Sequence, residues 1–447
     1  MRKLLLLCAL VAMMVGVSTA LFAGGVNLNT NHSAEFCKMM SRNASTDPDA
    51  VFFNPAGMAL MEDGMYLYLS NQIVHQPVDI RAQSKTRTHY KGTKGTWYFP
   101  NGYIVLKKGK FALGGTAMGI GGGGSGKFDK GLQMLDISAD RDLGAGKTVA
   151  SAIPALAGFF PPPGEGFILS KVEAASAVYA VQVCGAYQVA DNVGVSLGYR
   201  FMFGHNKYHI RMGAFPNQYF SYIFDSSNFK NEQNGIAHSV IAGVSFRPME
   251  NLTVGLRGEY STPLRLKNRN TKDASLLGFA DSSKRRGGET HTQTAPLMSV
   301  GLGYKVGTTG LLVMVSGTYF FNQFTHLKGN EKNYAGGYDL SVGFDYTLSA
   351  IPLSIGCGYL YAESGARPSA RSQTDEALDS HNVGAGFSYK IAENYKLTLA
   401  TIYSYYVPLN VNKGQRNAKL PSILAIIPAR YKKVSYDVAI GLTAKVM

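Results

Sequence analysis

Charge is scarce in this chain: Asp, Glu, Lys and Arg make up 16% of its 447 residues, against about 25% in an average soluble domain. Tryptophan occurs once. Long hydrophobic runs are missing too. The longest, Leu4 to Val17, has 14 residues, whereas a spanning helix needs about 20, so a bundle of membrane helices is excluded. Disorder is excluded by the 45% hydrophobic content, which a chain of low charge buries rather than solvates. Cysteine is rare as well. With Cys8 in an N-terminal leader, Cys37, Cys184 and Cys357 remain, an odd set far apart in sequence. Disulfide frameworks use even, closely spaced sets, and metal sites use pairs such as C-x-x-C. Three unpaired small hydrophobes are therefore expected, with no metal and no cofactor.

What is abundant points elsewhere. Gly at 51, Tyr at 26 and Phe at 23, combined with low charge, suit many short amphipathic strands, the signature of a membrane β-barrel. The net charge of +15 is compatible with lipid phosphates or an anionic ligand. Basic residues are scattered, with clusters only at Lys284-Arg285-Arg286 and Lys432-Lys433, so no nucleic acid partner is expected. Residues 1–23 read as a secretory signal peptide: basic Arg2 and Lys3, the apolar run, then small residues, with cleavage after Ala23 or, alternatively, Ala20. Export to the bacterial outer membrane is the expected destination.

Period-two alternation is clearest at the C-terminus, where Val434, Tyr436, Val438, Ile440, Leu442, Ala444 and Val446 share one face. The same pattern places strands near 64–79, 96–107, 109–121, 171–189, 192–211, 235–247, 251–267, 290–306, 311–324, 336–348, 352–364, 381–392, 394–408 and 432–446. Short connections such as Ala190-Asp191 alternate with long ones such as 122–170, as periplasmic turns and external loops do. The expected fold is all-β: a 14-stranded antiparallel transmembrane β-barrel over 64–447, acting as a monomer. Residues 24–63 lack the alternation and contain Asn54-Pro55, a turn or helix start. They are expected to form an N-terminal hatch that plugs the lumen.

Gly24-Gly25-Val26-Asn27-Leu28-Asn29 and Asp49-Ala50-Val51-Phe52-Phe53-Asn54-Pro55-Ala56-Gly57 resemble the start of the FadL-type outer-membrane transporters of long-chain fatty acids and aromatic hydrocarbons. Trp97-Tyr98-Phe99-Pro100-Asn101-Gly102, Ala242 to Gly255, and Ile427-Pro428-Ala429-Arg430 are similar to later segments of that family. The resemblance implies a hatch motif at Asn54, Pro55 and Ala56, and a kinked third strand that opens sideways into the membrane. The matching strand here carries Gly114, Gly115, Gly119 and Gly121. It also implies a hydrophobic small-molecule partner such as a fatty acid, delivered to outer-membrane lipid.

Three further features bear on that reading. Gly121 to Lys127 nearly spells a phosphate loop, but Phe128 stands where the Mg²⁺ ligand belongs and no helix pattern follows. Ile153, Leu156, Phe159, Phe160, Phe167 and Ile168, with 420–427, make two loops unusually apolar, and form a candidate external groove for greasy ligands or a lid packed on itself. Among inward positions, Arg200 and Arg257 are candidate partners for a ligand carboxylate, though Glu259 and nearby aspartates offer both arginines a lumen salt bridge instead. No Ser/His/Asp arrangement stands out, so no enzyme is expected; a polar porin and an adhesin are the alternatives to transport.

Overall fold

The computed structural model describes residues 32–82, 89–129, 169–213, 227–272, 288–327, 331–367, 377–411 and 429–446. Seventeen strand segments form a single antiparallel sheet, and they assemble into fourteen staves because proline interrupts three of them. The staves are β1 (Gly64–Ala82), β2 (His89–Lys108), β3 (Phe111–Phe128), β4 (Leu169–Ala190), β5 (Val193–Gly213) and β6 (Ser227–Met249). Next come β7 (Leu252–Ser261, continued by Leu264–Lys272), β8 (Glu289–Thr292, continued by Leu297–Val306), β9 (Leu311–Phe320) and β10 (Gly337–Thr347). The last four are β11 (Leu353–Glu363), β12 (Ser380–Ala392), β13 (Tyr395–Tyr406, continued by Leu409–Val411) and β14 (Ala429–Lys445). Pro263, Pro296 and Pro408 sit at the three interruptions, where a residue without an N–H breaks the ladder. β1 pairs with both β2 and β14, from Tyr66↔Lys445 to Ala82↔Ala429 on the closing side, so no edge strand is left.

Alternation sorts the side chains as the sequence pattern requires. On β8, Leu297, Ser299, Gly301 and Gly303 turn inward, and Met298, Val300, Leu302 and Tyr304 turn outward. On β14, Tyr436, Val438, Ile440 and Leu442 form the outer face. Outward apolar side chains of this kind recur around the wall and make a band for lipid. The lumen is not empty. Two short helices, α1 (Ala34–Met39) and α2 (Ala50–Phe53), and a 3₁₀ turn (Pro55–Leu60) fill its lower half, with every residue of the three elements buried.

Candidate functional site

The hatch folds around one arginine. Arg42 Nε donates to Asp49 Oδ2 at 3.0 Å, and its Nη2 reaches Asp49 Oδ1 at 2.7 Å, Asp47 at 2.6 Å and Ser45 Oγ at 2.7 Å. This bidentate grip ties α1 to α2. Ser33 caps α1 by accepting from Phe36 N at 2.9 Å, and donates to Asp49 Oδ2 at 2.9 Å. The Asn54-Pro55-Ala56 motif explains itself locally. Asn54 Nδ2 donates to Ser45 O and to wall residue Ser245 Oγ at 3.1 and 3.2 Å. Pro55 opens the 3₁₀ turn, where its missing N–H costs nothing. A side chain at Gly57 would strike Ser45 O and the Asn54 amide, each 2.5 Å from its Cβ.

The wall receives the hatch on all sides. Lys38 Nζ lies 2.9 Å from Asp345 and Ser388 Oγ and 3.0 Å from Glu35, which Lys396 and Thr398 each reach at 2.8 Å. Across the lumen, Gln182 Nε2 donates to Val51 O at 2.6 Å, Tyr103 to His32 O at 2.8 Å, and Asn43 to Thr318 Oγ1 at 3.2 Å. Inward glycines make room for its backbone. A Cβ at Gly255 or Gly301 would meet Asn43, at Gly343 or Gly358 Met39, and at Gly384 Cys37. Part of the glycine visible in the composition is therefore a docking surface for the hatch, which no strand pattern discloses.

Against the Phe52 ring lies the arginine pair. Arg200 and Arg257 are both buried, with their guanidinium carbons 5.2 and 5.0 Å from the Phe52 ring centroid, within cation–π range. Arg200 is committed to wall partners: an ion pair with Glu259 and a 2.8 Å bond from Nε to Gln182 Oε1. Arg257 instead donates to the carbonyl oxygen of Phe52. It also lines a small cavity with Asn43, Phe53, Thr318 and Asp339.

On one side the β2–β3 ladder is interrupted, leaving an opening in the hydrogen bonding of the wall. β2 and β3 pair from Lys108↔Phe111 up to Asn101↔Met118, then resume only at Gly95↔Ser125. Thr96–Pro100 and Gly119–Gly124 thus face each other without a ladder, each held from behind by β1 or β4. Local side chains meet groups on the β2 side of this border. Tyr98 N donates to Thr96 Oγ1 at 3.2 Å, Phe99 N to Asn71 Oδ1 at 3.0 Å, Asn101 Nδ2 to Phe99 O at 3.3 Å, and Pro100 has no N–H. An unpaired edge at membrane depth is costly unless its groups find such partners or it lines a cavity. Gly122 takes φ +98° here, a backbone conformation that favours glycine.

Of the four glycines singled out from sequence, Gly119 and Gly121 lie at the opening. Gly114 and Gly115 sit below it in the paired stretch, opposite Val105 and Ile104. Gly114 has a different use, since its Cβ position falls against Met58 and Val51 of the hatch. Phe99 is the residue that sequence reasoning did not assign a role. Its ring packs over Gly119 and stacks on His32 at 6.1 Å, and His32 meets Phe52 edge-on at 4.4 Å. An aromatic line thus runs from the arginine pair to the opening. Above it, Val78, Ile80, Tyr90, Phe128, Val172 and Tyr431 form a buried apolar cluster toward the long-loop end. Ile153, Leu156, Phe159, Phe160, Phe167, Ile168 and 420–427 lie outside the described residues.

No family model matches the sequence, and no curated protein does. Solved structures do. A Pseudomonas aeruginosa FadL homologue superposes with TM-score 0.66 at 13% identity, covering 96% of this chain and 100% of that one. The Pseudomonas putida toluene transporter TodX gives 0.60 at 10% identity, covering 96% and 100%. The Ralstonia pickettii toluene transporter TbuX gives 0.53 at 13%, covering 88% and 93%. At these identities the likeness is one of architecture: the chain has the hatch-filled, fourteen-stranded barrel fold shared by the FadL homologue and the toluene transporters.

Proposed function

We propose that this chain is an outer-membrane channel for passive uptake of hydrophobic compounds, long-chain fatty acids or similar molecules, which leave sideways through the β2–β3 opening into lipid. The observation that carries the reading is the opening itself. Its β2 edge is met by Thr96, Asn71 and Asn101, and Phe99 closes it from the hatch side. A hydrophobic solute gains about 25 cal/mol per Å² of apolar surface kept from water. A route from the lumen into lipid preserves that gain, whereas a vertical route past the hatch ends in the water of the periplasm and forfeits it.

Arg257 supports a carboxylate-bearing ligand. It is the member of the pair bonded to a hatch carbonyl rather than to a carboxylate, so an incoming carboxylate displaces Phe52 O and loosens the aromatic line toward Phe99. The apolar cluster toward the long-loop end serves as the entrance. Residues 24–63 act as the hatch, the leader 1–23 is removed on export, and the barrel works as a monomer. A porin reading fits poorly with a lumen filled by buried helices.

The test is paired. The mature protein in vesicles is expected to pass almost no ion current while equilibrating a labelled long-chain fatty acid into the lipid. Large steady currents, or no acceleration of fatty acid or aromatic hydrocarbon over protein-free vesicles, would overturn the proposal.

A further inference from the structure

Below the opening, on the outer face at the short-turn end, a groove of about 1190 Å³ crosses β1 to β5. Its walls are outward apolar side chains, Leu106, Phe111, Leu113, Tyr187 and Leu197. The Phe111 and Tyr187 rings lie 4.8 Å apart. Gly185 makes the depression, for nothing lies within 4 Å of the position its Cβ would take. At the rim stands Lys108. Asp63 also lines the rim; it takes the neighbouring Lys107 at 3.3 Å and lies within the field of Lys108, but among the described residues no ion pair is made by Lys108 or by the exposed Lys110.

We infer that this groove binds an anionic phospholipid of the periplasmic leaflet, its acyl chain along the apolar walls over Gly185 and its phosphate at Lys108 and Lys110. The occupant follows from position and charge together. The groove faces outward where lipid-facing side chains give way to the turns, so hydrocarbon lies against it and headgroups at its rim. Its aromatic pair belongs to the interfacial level. Lysine meets phosphate as a point charge on a flexible stem, and each basic residue near an anionic leaflet strengthens association by about fivefold. The inference rests on the membrane-barrel reading but not on transport. A lipid held there would sit under the β2–β3 opening, on the same strands.

Full-length mature protein in nanodiscs of mixed phosphatidylglycerol and phosphatidylcholine provides the test, by mass spectrometry of lipids retained after mild extraction. Wild type should retain phosphatidylglycerol preferentially. Lys108→Gln with Lys110→Gln should lower that preference by about fivefold per lysine, and Gly185→Leu, which fits without a backbone clash, should reduce retention of both lipids at least fivefold. Equal retention of the two lipids by wild type, or unchanged retention in the Gly185→Leu protein, would overturn the site. So would a dimer in light scattering that Gly185→Leu abolishes, which would make a second copy the occupant.

Discussion

Arg200 and Arg257 pack against the same ring yet hydrogen-bond to different partners, and substitution should separate their roles. Arg200→Met strands Glu259 as a buried carboxylate without its ion-pair partner, a loss of about 3–5 kcal/mol for a broken buried pair. The temperature at which the barrel unfolds on a heat-modifiability gel should fall accordingly; an unchanged transition would show that Arg200 holds nothing together. Arg257→Met removes a charge that hydrogen-bonds to the Phe52 carbonyl and packs on its ring. Folding should persist, while affinity for a long-chain carboxylate falls about tenfold to a hundredfold, the range of a charge-assisted bond. Binding of a neutral aromatic hydrocarbon should stay the same. Equal losses for both ligands would assign Arg257 to architecture.

Among the elements, the hatch depends on charge in a way that pH can probe. Burial pushes the Glu35 carboxyl up, but Lys396, Lys38 and Arg42 outweigh it and hold it well below its ordinary 4.5. A carboxylate lowered by folding stabilises above its ordinary value and loses that contribution as pH falls through the lowered one. Ion conductance should therefore stay near zero from pH 7 down through the ordinary glutamate range and rise only below it. Glu35→Gln should raise conductance already at pH 7. A wild-type rise beginning near neutrality would contradict the lock. Little of this was legible in sequence. The strands were, because period two over ten or more residues is a face-sorting requirement of a lipid-bounded wall. The hatch was visible only as an absence of alternation with Asn54-Pro55 inside it. Gly114 and Gly119 read alike on the same strand, yet one accommodates Met58 and the other the Phe99 ring. That distinction exists only once the hatch is seated. Phe99 stood among outward-looking aromatics with nothing local to mark it as a closure, since its partner His32 lies 67 positions earlier in the chain.

For the molecule as a whole, the outer band and the lumen make opposite demands. Val438 faces outward on β14, half exposed, between the buried Asp437 and Ala439. Val438→Arg should destabilise by about 2–4 kcal/mol if it lies near the bilayer midplane, less toward the interfaces, measured by reversible unfolding in vesicles. A neutral result would place this face away from hydrocarbon. Deleting 24–60 while keeping the leader should leave a barrel whose conductance rises sharply, because the helices that fill the lumen are gone; near-zero conductance in that protein would mean something else closes the channel. The central claim is that ligands cross the wall between β2 and β3. It is tested most directly by Gly119→Phe, which places a second ring where the Phe99 ring already fills the space. Cellular uptake of a labelled long-chain fatty acid should fall at least tenfold while the purified variant folds and binds that ligand as wild type does. Undiminished uptake by the folded variant would contradict a lateral exit at this place.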